Sequence, residues 1–251
     1  MKAIGVIPAR WASTRLPGKA LVNIAGKPLI QWVWERASLA KKLDALIVAT
    51  DDERIVSAVQ NFGGRAVMTK PDHPSGTDRI AEAIKGIAAD VVVNVQGDEP
   101  LVDPALIDRV AEVLLTGKDW DMATAVTPMD SDEMLHDPSV VKAVFAADGC
   151  ALYFSRSVIP FMRDARPTIG AKDGRYWRHV GIYGYQCKFL ERLVKTPPCD
   201  LELAEKLEQL RALHIGARMK VLKTESPGPG VDTPEDVKRA EIALRKAGLA
   251  K

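Results

Sequence analysis

Short apolar runs alternate with amphipathic stretches across the first half of this chain, and that rhythm limits the fold more than any other feature. Ala3 to Pro8 reads as a buried strand. Pro28 to Lys41 reads as a helix with Ile30, Val33, Trp34 and Ala37 on one face. Ala45 to Thr50 is a second buried strand; Asp51 then caps a helix that runs to Phe62 and stops at Gly63 and Gly64. A strand from Arg65 to Thr69 and a helix from about Thr77 to Ala89 follow. Val91 to Gln96 is a continuous apolar strand, and Pro104 opens the next helix. Strands buried on both faces read as unbroken apolar runs, so the prediction is an α/β fold: a mostly parallel sheet with helices on both faces. Ligands bind such sheets beyond the carboxyl ends of the strands, which directs attention to the loops after Pro8 and Gln96.

The second half differs. Ala123 to Pro128, Val140 to Ala146, Ala151 to Phe154 and His179 to Cys187 read as strands with few long helices between them. This predicts a small antiparallel, strand-rich insert at about 121–187 within a single domain, 1–251. Arg163 to Arg178 reads as a mobile loop. Leu201 to Leu213 reads as one amphipathic helix with Leu203, Leu207, Leu210 and Ala204 toward the core, leaving Glu205, Glu208 and Gln209 nearer a rim. Arg218 to Thr224 is a strand and Pro234 to Lys246 a closing helix.

Composition removes several function classes. Of 251 residues, 35 are Lys or Arg and 33 Asp or Glu, for a formal charge of +2. Nucleic acid and membrane surfaces are therefore not expected partners, and anion affinity must come from a local cluster. Cys150, Cys187 and Cys199 form no CxxC pair, which fits a reducing compartment better than a disulfide framework or a cysteine zinc site. No apolar run approaches the roughly 20 residues of a membrane span. A cytoplasmic protein is expected.

The strongest chemical signal follows the first strand: Ile7-Pro8-Ala9-Arg10-Trp11-Ala12-Ser13-Thr14-Arg15-Leu16-Pro17-Gly18-Lys19. A loop at a strand's carboxyl end offers backbone N–H groups to a polyphosphate; Arg adds forked contacts and Lys a mobile charge. It is not a Walker A loop, because Ala20 stands where Ser or Thr would hold magnesium, and no GxGxxG is present. In Asn94-Val95-Gln96-Gly97-Asp98-Glu99-Pro100, acids at a strand's end suit magnesium, and Gly97 is expected to permit a sharp turn. Gly228-Pro229-Gly230-Val231-Asp232-Thr233-Pro234-Glu235-Asp236 reads alone as a glycine-rich turn with an Asp or Thr helix cap, and Asp232 gains meaning only as a second carboxylate beside Asp98. In His73-Pro74-Ser75-Gly76-Thr77-Asp78-Arg79, Ser75 or Thr77 caps a helix, but Arg79 opposes the helix dipole; an anionic ligand would resolve that conflict.

Taken in order, these segments, together with ATDD at Ala49 to Asp52, ALYFSRSVIP at Ala151 to Pro160, HVGIYGY at His179 to Tyr185 and LELAEKLEQLRAL at Leu201 to Leu213, resemble the cytidylyltransferases that activate acidic sugars with CTP. The resemblance spans nearly the whole chain and implies a fold of the nucleotide-diphospho-sugar transferase type. It implies a reaction of CTP with an eight-carbon sugar acid, 3-deoxy-manno-octulosonate (KDO) or 8-amino-KDO, giving the CMP-sugar and pyrophosphate for lipopolysaccharide synthesis. It implies catalytic roles for Arg10, Lys19, Asp98 and Asp232, with Asp98 and Asp232 holding Mg2+. Ala9, Arg10, Ser13, Arg15, Lys19, Ser75 and Gly76 would bind the nucleotide. Arg79, Gln96, Arg156, Arg163, His179, Glu208 and Gln209 would line the sugar pocket. A homodimer built through the insert is also implied. Two alternatives stay open: an enzyme for another acidic sugar such as a sialic acid, and a catalytically silent nucleotide binder on the same fold.

Overall fold

The apolar run at the start of the chain forms β1 (Ala3–Ala9), with all but one of its residues buried. The computed structural model describes residues 1–117, 119–165, 167–169, 174–225 and 228–250. After β1 the chain makes a 3-10 turn at Lys19–Leu21, a hairpin of β2 (Asn23–Ile24) and β3 (Lys27–Pro28), and helix α1 (Leu29–Ala37). Then come β4 (Ala45–Thr50), α2 (Glu53–Asn61), β5 (Ala66–Met68), α3 (Gly76–Ala83), β6 (Val91–Asn94) and α4 (Pro104–Thr116). The second half holds β7 (Met122–Pro128), α5 (Asp132–His136), β8 (Lys142–Phe145), β9 (Ala151–Ser155) and β10 (Trp177–Gln186). It closes with α6 (Cys187–Lys195), α7 (Asp200–Glu205), α8 (Gln209–His214), β11 (Met219–Lys223) and α9 (Pro234–Lys246).

The main sheet runs β11-β7-β10-β6-β1-β4-β5. Its β6-β1-β4-β5 half is parallel, as the alternation predicts. Strand β10 lies antiparallel between β6 and β7, and β8 and β9 extend from it as an antiparallel pair. Side chains of β1 alternate between two cores. Ala3 and Ile7 pack with α1, α2, α4 and α9; Ile4 and Val6 pack with α3, α6 and α8. A fully buried aliphatic side chain contributes roughly 1.5–3 kcal/mol. A one-residue slip of β1 would send every one to the wrong face, so register is strongly fixed.

Several elements differ from the sequence reading. Helix α1 stops at Ala37, short of Lys41: the N–H groups of Leu39 and Ala40 tighten to bonds three residues back, on Arg36 O and Ala37 O, and those of Lys41 and Lys42 both donate to Asp108 Oδ1 at 2.7 Å. Trp34 is only half-buried, and Leu29 and Trp32 take the core positions. Asp52, not Asp51, caps α2. Ser75 caps α3, which ends at Ala83 rather than Ala89; Gly86 at φ 79° follows in a left-handed conformation. Strand β10 begins at Trp177, and Tyr176 is buried, so the end of the expected mobile loop is ordered structure; residues 166 and 170–173 of that loop lie outside the described residues. The single helix expected over Leu201 to Leu213 is two short helices, α7 and α8, broken at Lys206 with φ 53° and ψ 47°. Leu203 and Ala204 are exposed, while Leu207, Gln209 and Leu210 are buried. Cys187, expected within a strand, opens α6. Among the described residues no helix is long and apolar enough to cross a membrane.

Candidate active site

Strands β1 and β6 are parallel neighbours, so the loops leaving their carboxyl ends rise side by side. Gly97 is required here for close approach rather than for a left-handed turn: a Cβ would lie 2.7 Å from Pro8 O. Gly18 does take the left-handed conformation, φ 63°, and turns the loop into the 3-10 helix that begins with Lys19. A third segment joins them, because Val231 N–H donates to Asp98 O at 2.9 Å. Thr233 caps α9 and leaves Asp232 free of that task. Asp236 Oδ2 accepts the N–H groups of Asp232 (3.0 Å) and Thr233 (2.8 Å), which orients the turn. The sequence reading missed that role for Asp236, although an acid three residues after a Thr cap signals a capping box.

Together these loops enclose a cleft of about 380 Å³. It gathers Ala9, Arg10, Ser13, Arg15 and Lys19 from the first loop, Ser75, Gly76 and Arg79 from the start of α3, Gln96 and Asp98 from the second loop, and Asp232. At its centre Lys19 Nζ donates to Asp98 Oδ2 at 2.6 Å and to Asp232 Oδ1 at 2.8 Å. Arg15 Nη2 stands 3.0 Å from the same Asp232 oxygen. Burial opposes the charge on Lys19, but attraction to Asp98 and hydrogen bonds to both carboxylates outweigh it and raise its pKa. Glu99 does not line the cleft; burial and the neighbouring Asp98 charge push its pKa up to about 7, against the pull of Arg178.

Arg79 is committed differently from the expectation. The anion that answers it is the protein's own Asp51: Nη2 donates to Asp51 Oδ2 at 2.9 Å, and Nη1 to Thr69 Oγ1 at 2.6 Å. Of the remaining residues assigned to a sugar pocket, Gln96 lines the cleft, and Arg156, Arg163, His179, Glu208 and Gln209 do not. Gln96 reaches from the cleft to β10, donating to Gly181 O at 2.8 Å. His179 packs edge-on to Phe154 and sits 2.8 Å from Thr124 Oγ1; burial drives its pKa down to about 3. Glu208 accepts a short hydrogen bond from Thr77, next to Gly76 of the cleft. Gln209 is buried on α8. Arg156 donates to the carbonyls of Glu205 (2.6 Å) and Pro138 (2.9 Å), and Arg163 is 92% exposed beside Asp164.

Two carboxylate oxygens that already converge on one cation centre, both reachable from the cleft, are a suitable pair for a divalent ion. Among the described residues no group of three or more His, Cys, Asp or Glu is placed to hold a metal, and a two-carboxylate site leaves room for phosphate and water oxygens. Mg2+ is the ion that binds through one or two carboxylates plus phosphate oxygens. The arrangement can thus align a polyphosphate between fixed cations and a carboxylate-held metal.

Comparison with known proteins agrees in kind. A family model described as "Cytidylyltransferase" matches residues 4–221. A relative from Bdellovibrio bacteriovorus, named 3-deoxy-manno-octulosonate cytidylyltransferase, is 49% identical over 249 residues, 99% of this chain and 100% of the relative. A relative of the same name from Pseudomonas fluorescens is 52% identical, covering 95% of this chain and 96% of its own length. The solved structure of a CMP:2-keto-3-deoxy-manno-octonic acid synthetase complexed with CTP superimposes with a TM-score of 0.92 at 41% identity, over 98% of this chain and all of the other. A cytidylyltransferase from Leptospira borgpetersenii, 18% identical with a TM-score of 0.65, shares the fold.

Proposed function

The chain belongs to the cytidylyltransferase family, and from that membership we infer that it joins CTP to KDO, giving CMP-KDO and pyrophosphate. The observation that carries the reading is the meeting of Lys19 with Asp98 and Asp232 in a cleft flanked by Arg10 and Arg15. The anomeric hydroxyl oxygen of the sugar bonds to the α-phosphorus, the bond from that phosphorus to the pyrophosphate oxygen breaks, and the hydroxyl proton leaves to solvent. Such displacement needs alignment and charge neutralisation above all. Arg10, Arg15 and Lys19 grip the triphosphate and oppose the charge that develops on the leaving group. Ala9, Ser13, Ser75 and Gly76 seat the nucleotide. Asp98 and Asp232 hold Mg2+, which when bound polarises the α-phosphoryl group.

The sugar lies toward β10 and α8, against Gln96, Arg156, Arg163, His179, Glu208 and Gln209. This placement is supported by two links out of the cleft, Gln96 to Gly181 and Thr77 to Glu208. The product serves lipopolysaccharide synthesis, and the enzyme works in the cytoplasm as a homodimer. The deciding experiment measures pyrophosphate release with CTP and magnesium, comparing KDO, 8-amino-KDO and sialic acid at equal concentration. Fastest release with KDO is expected. Preference for 8-amino-KDO or sialic acid would reassign the substrate, and no release from folded, CTP-binding protein would make the chain a silent binder.

A further inference from the structure

The ATDD segment ends β4, and the reaction as described gives its acids no part. Both oxygens of Asp51 are in use, on two different walls of the cleft. Oδ1 accepts the backbone N–H of Trp11 at 2.9 Å, two residues beyond the end of β1. Oδ2 accepts Arg79 Nη2 at 2.9 Å, in the first turn of α3, beside the Ser75 and Gly76 that line the cleft. The Arg79 and Asp51 side chains are only 4% and 9% exposed. Thr69 completes the joint: it accepts from Arg79 Nη1 and donates its own hydroxyl to Thr50 O at 3.0 Å.

The Trp11 ring extends the tie to the far end of the loop. One contact is with the Arg54 guanidinium, 3.3 Å from the ring centroid, itself forked onto Asp52 at 2.8 and 2.6 Å. Gly18 also packs on the ring, where a Cβ would stand 3.1 Å from it, and Gly18 immediately precedes Lys19. A buried ion pair is a poor source of stability, since removing two charges from water offsets their attraction. What it supplies well is a fixed geometry. We propose that Asp51 is a positioning residue of the nucleotide site: it locks the loop bearing Arg10, Ser13, Arg15 and Lys19 to the first turn of α3, with Trp11, Arg54 and Arg79 as the other parts of the lock. Arg79 thereby serves the nucleotide wall from behind.

This rests on the CTP reading for its functional consequence, and its structural half is tested without nucleotide. The variant of choice is the double substitution Asp51→Leu with Arg79→Met, which replaces the pair by apolar groups of similar size and so keeps the fold. Hydrogen exchange of residues 10–19 in nucleotide-free protein should accelerate, and CTP affinity by calorimetry with magnesium should fall about tenfold or more, because misplacing a binding group by an ångström is that costly. KM for CTP should rise more than kcat falls. Arg54→Met, at an exposed position, should move the same readouts in the same direction by a smaller factor. Wild-type exchange in the 10–19 segment of the double variant overturns the proposal; should that variant not fold, wild-type exchange and CTP affinity in Arg54→Met overturn it. If wild-type protein itself fails to bind CTP, the functional reading falls while the exchange result still decides the lock.

Discussion

At Lys19, one ammonium faces two carboxylates and an arginine, and its raised pKa keeps it charged through the neutral range. Lys19→Ala is expected to lower kcat by about 10²–10³, the usual loss when one preorganised donor to developing charge is removed. Asp98→Asn and Asp232→Asn should each abolish turnover and leave the fold intact; near wild-type pyrophosphate release with magnesium would remove their metal assignment. Lys19 and Asp98 stand in segments that the sequence marks at strand ends, whereas Asp232 reads alone as part of a helix cap and was singled out only as a partner for Asp98 and through the family resemblance. The Asp51–Arg79 pair was not readable, since nothing in either segment announces a partner 28 positions away; only the unexplained cation at a helix N-terminus hinted at it. His179 offers a test by pH. Burial lowers its folded pKa to about 3 from 6.5, so neutral His179 stabilises the fold fully above pH 6.5, and that contribution is lost as pH falls toward 3. Denaturant titrations at pH 7 and 5 should show the wild type losing at most about 2 kcal/mol more than His179→Gln. Equal losses would mean that the ring is protonated in the folded state.

Among the elements, those with local stop and start signals were legible: α4 opens on Pro104 and α9 spans Pro234 to Lys246 as predicted. The break between α7 and α8 was not. Periodicity runs straight through it, and Lys206 is a residue that normally avoids the left-handed region. Tertiary bonds hold it there: Glu205 accepts from Ser155 Oγ (2.6 Å) and Arg156 N–H (2.8 Å), tying the end of α7 to β9 and turning the chain. The break buries Gln209 and Leu210 and brings Glu208 within reach of Thr77. Lys206→Gly should therefore stabilise the protein by about 0.5–1 kcal/mol, as relief of the left-handed backbone outweighs the added freedom of the unfolded chain. Thermal unfolding reads the sign directly: a lower melting temperature would mean that the Lys206 side chain contributes more than its backbone costs.

For the molecule as a whole, the parallel half of the sheet was legible because strands covered on both faces leave continuous apolar runs. The antiparallel entry of β10 between β6 and β7 was not, because its pairing depends on segments distant in sequence. Its fit depends on Gly184, where a Cβ would stand 2.7 Å from both Leu114 and Val110 of α4. The β8–β9 pair that branches from β10 leaves an unusual surface. Strand β9 pairs with β8 alone among the named strands, and Leu152 on it is 60% exposed. Phe161 (82%), Leu201 (45%) and Leu203 (51%) are exposed on the segments after β9 and on α7, which Glu205 ties to β9. Large exposed apolar side chains suit a two-fold contact with a second copy, the same patch serving both chains. Light scattering after gel filtration is expected to give the mass of two chains for the wild type and of one for Leu152→Glu, with unchanged circular dichroism. A wild type that runs as a monomer at tens of micromolar would end the dimer proposal. Lys19, Asp98 and Asp232 meet within one chain, so the monomeric variant should bind CTP with wild-type affinity. A loss of binding there would instead show that the second copy shapes the cleft from outside, through β10 and the loops that Gln96 holds to it.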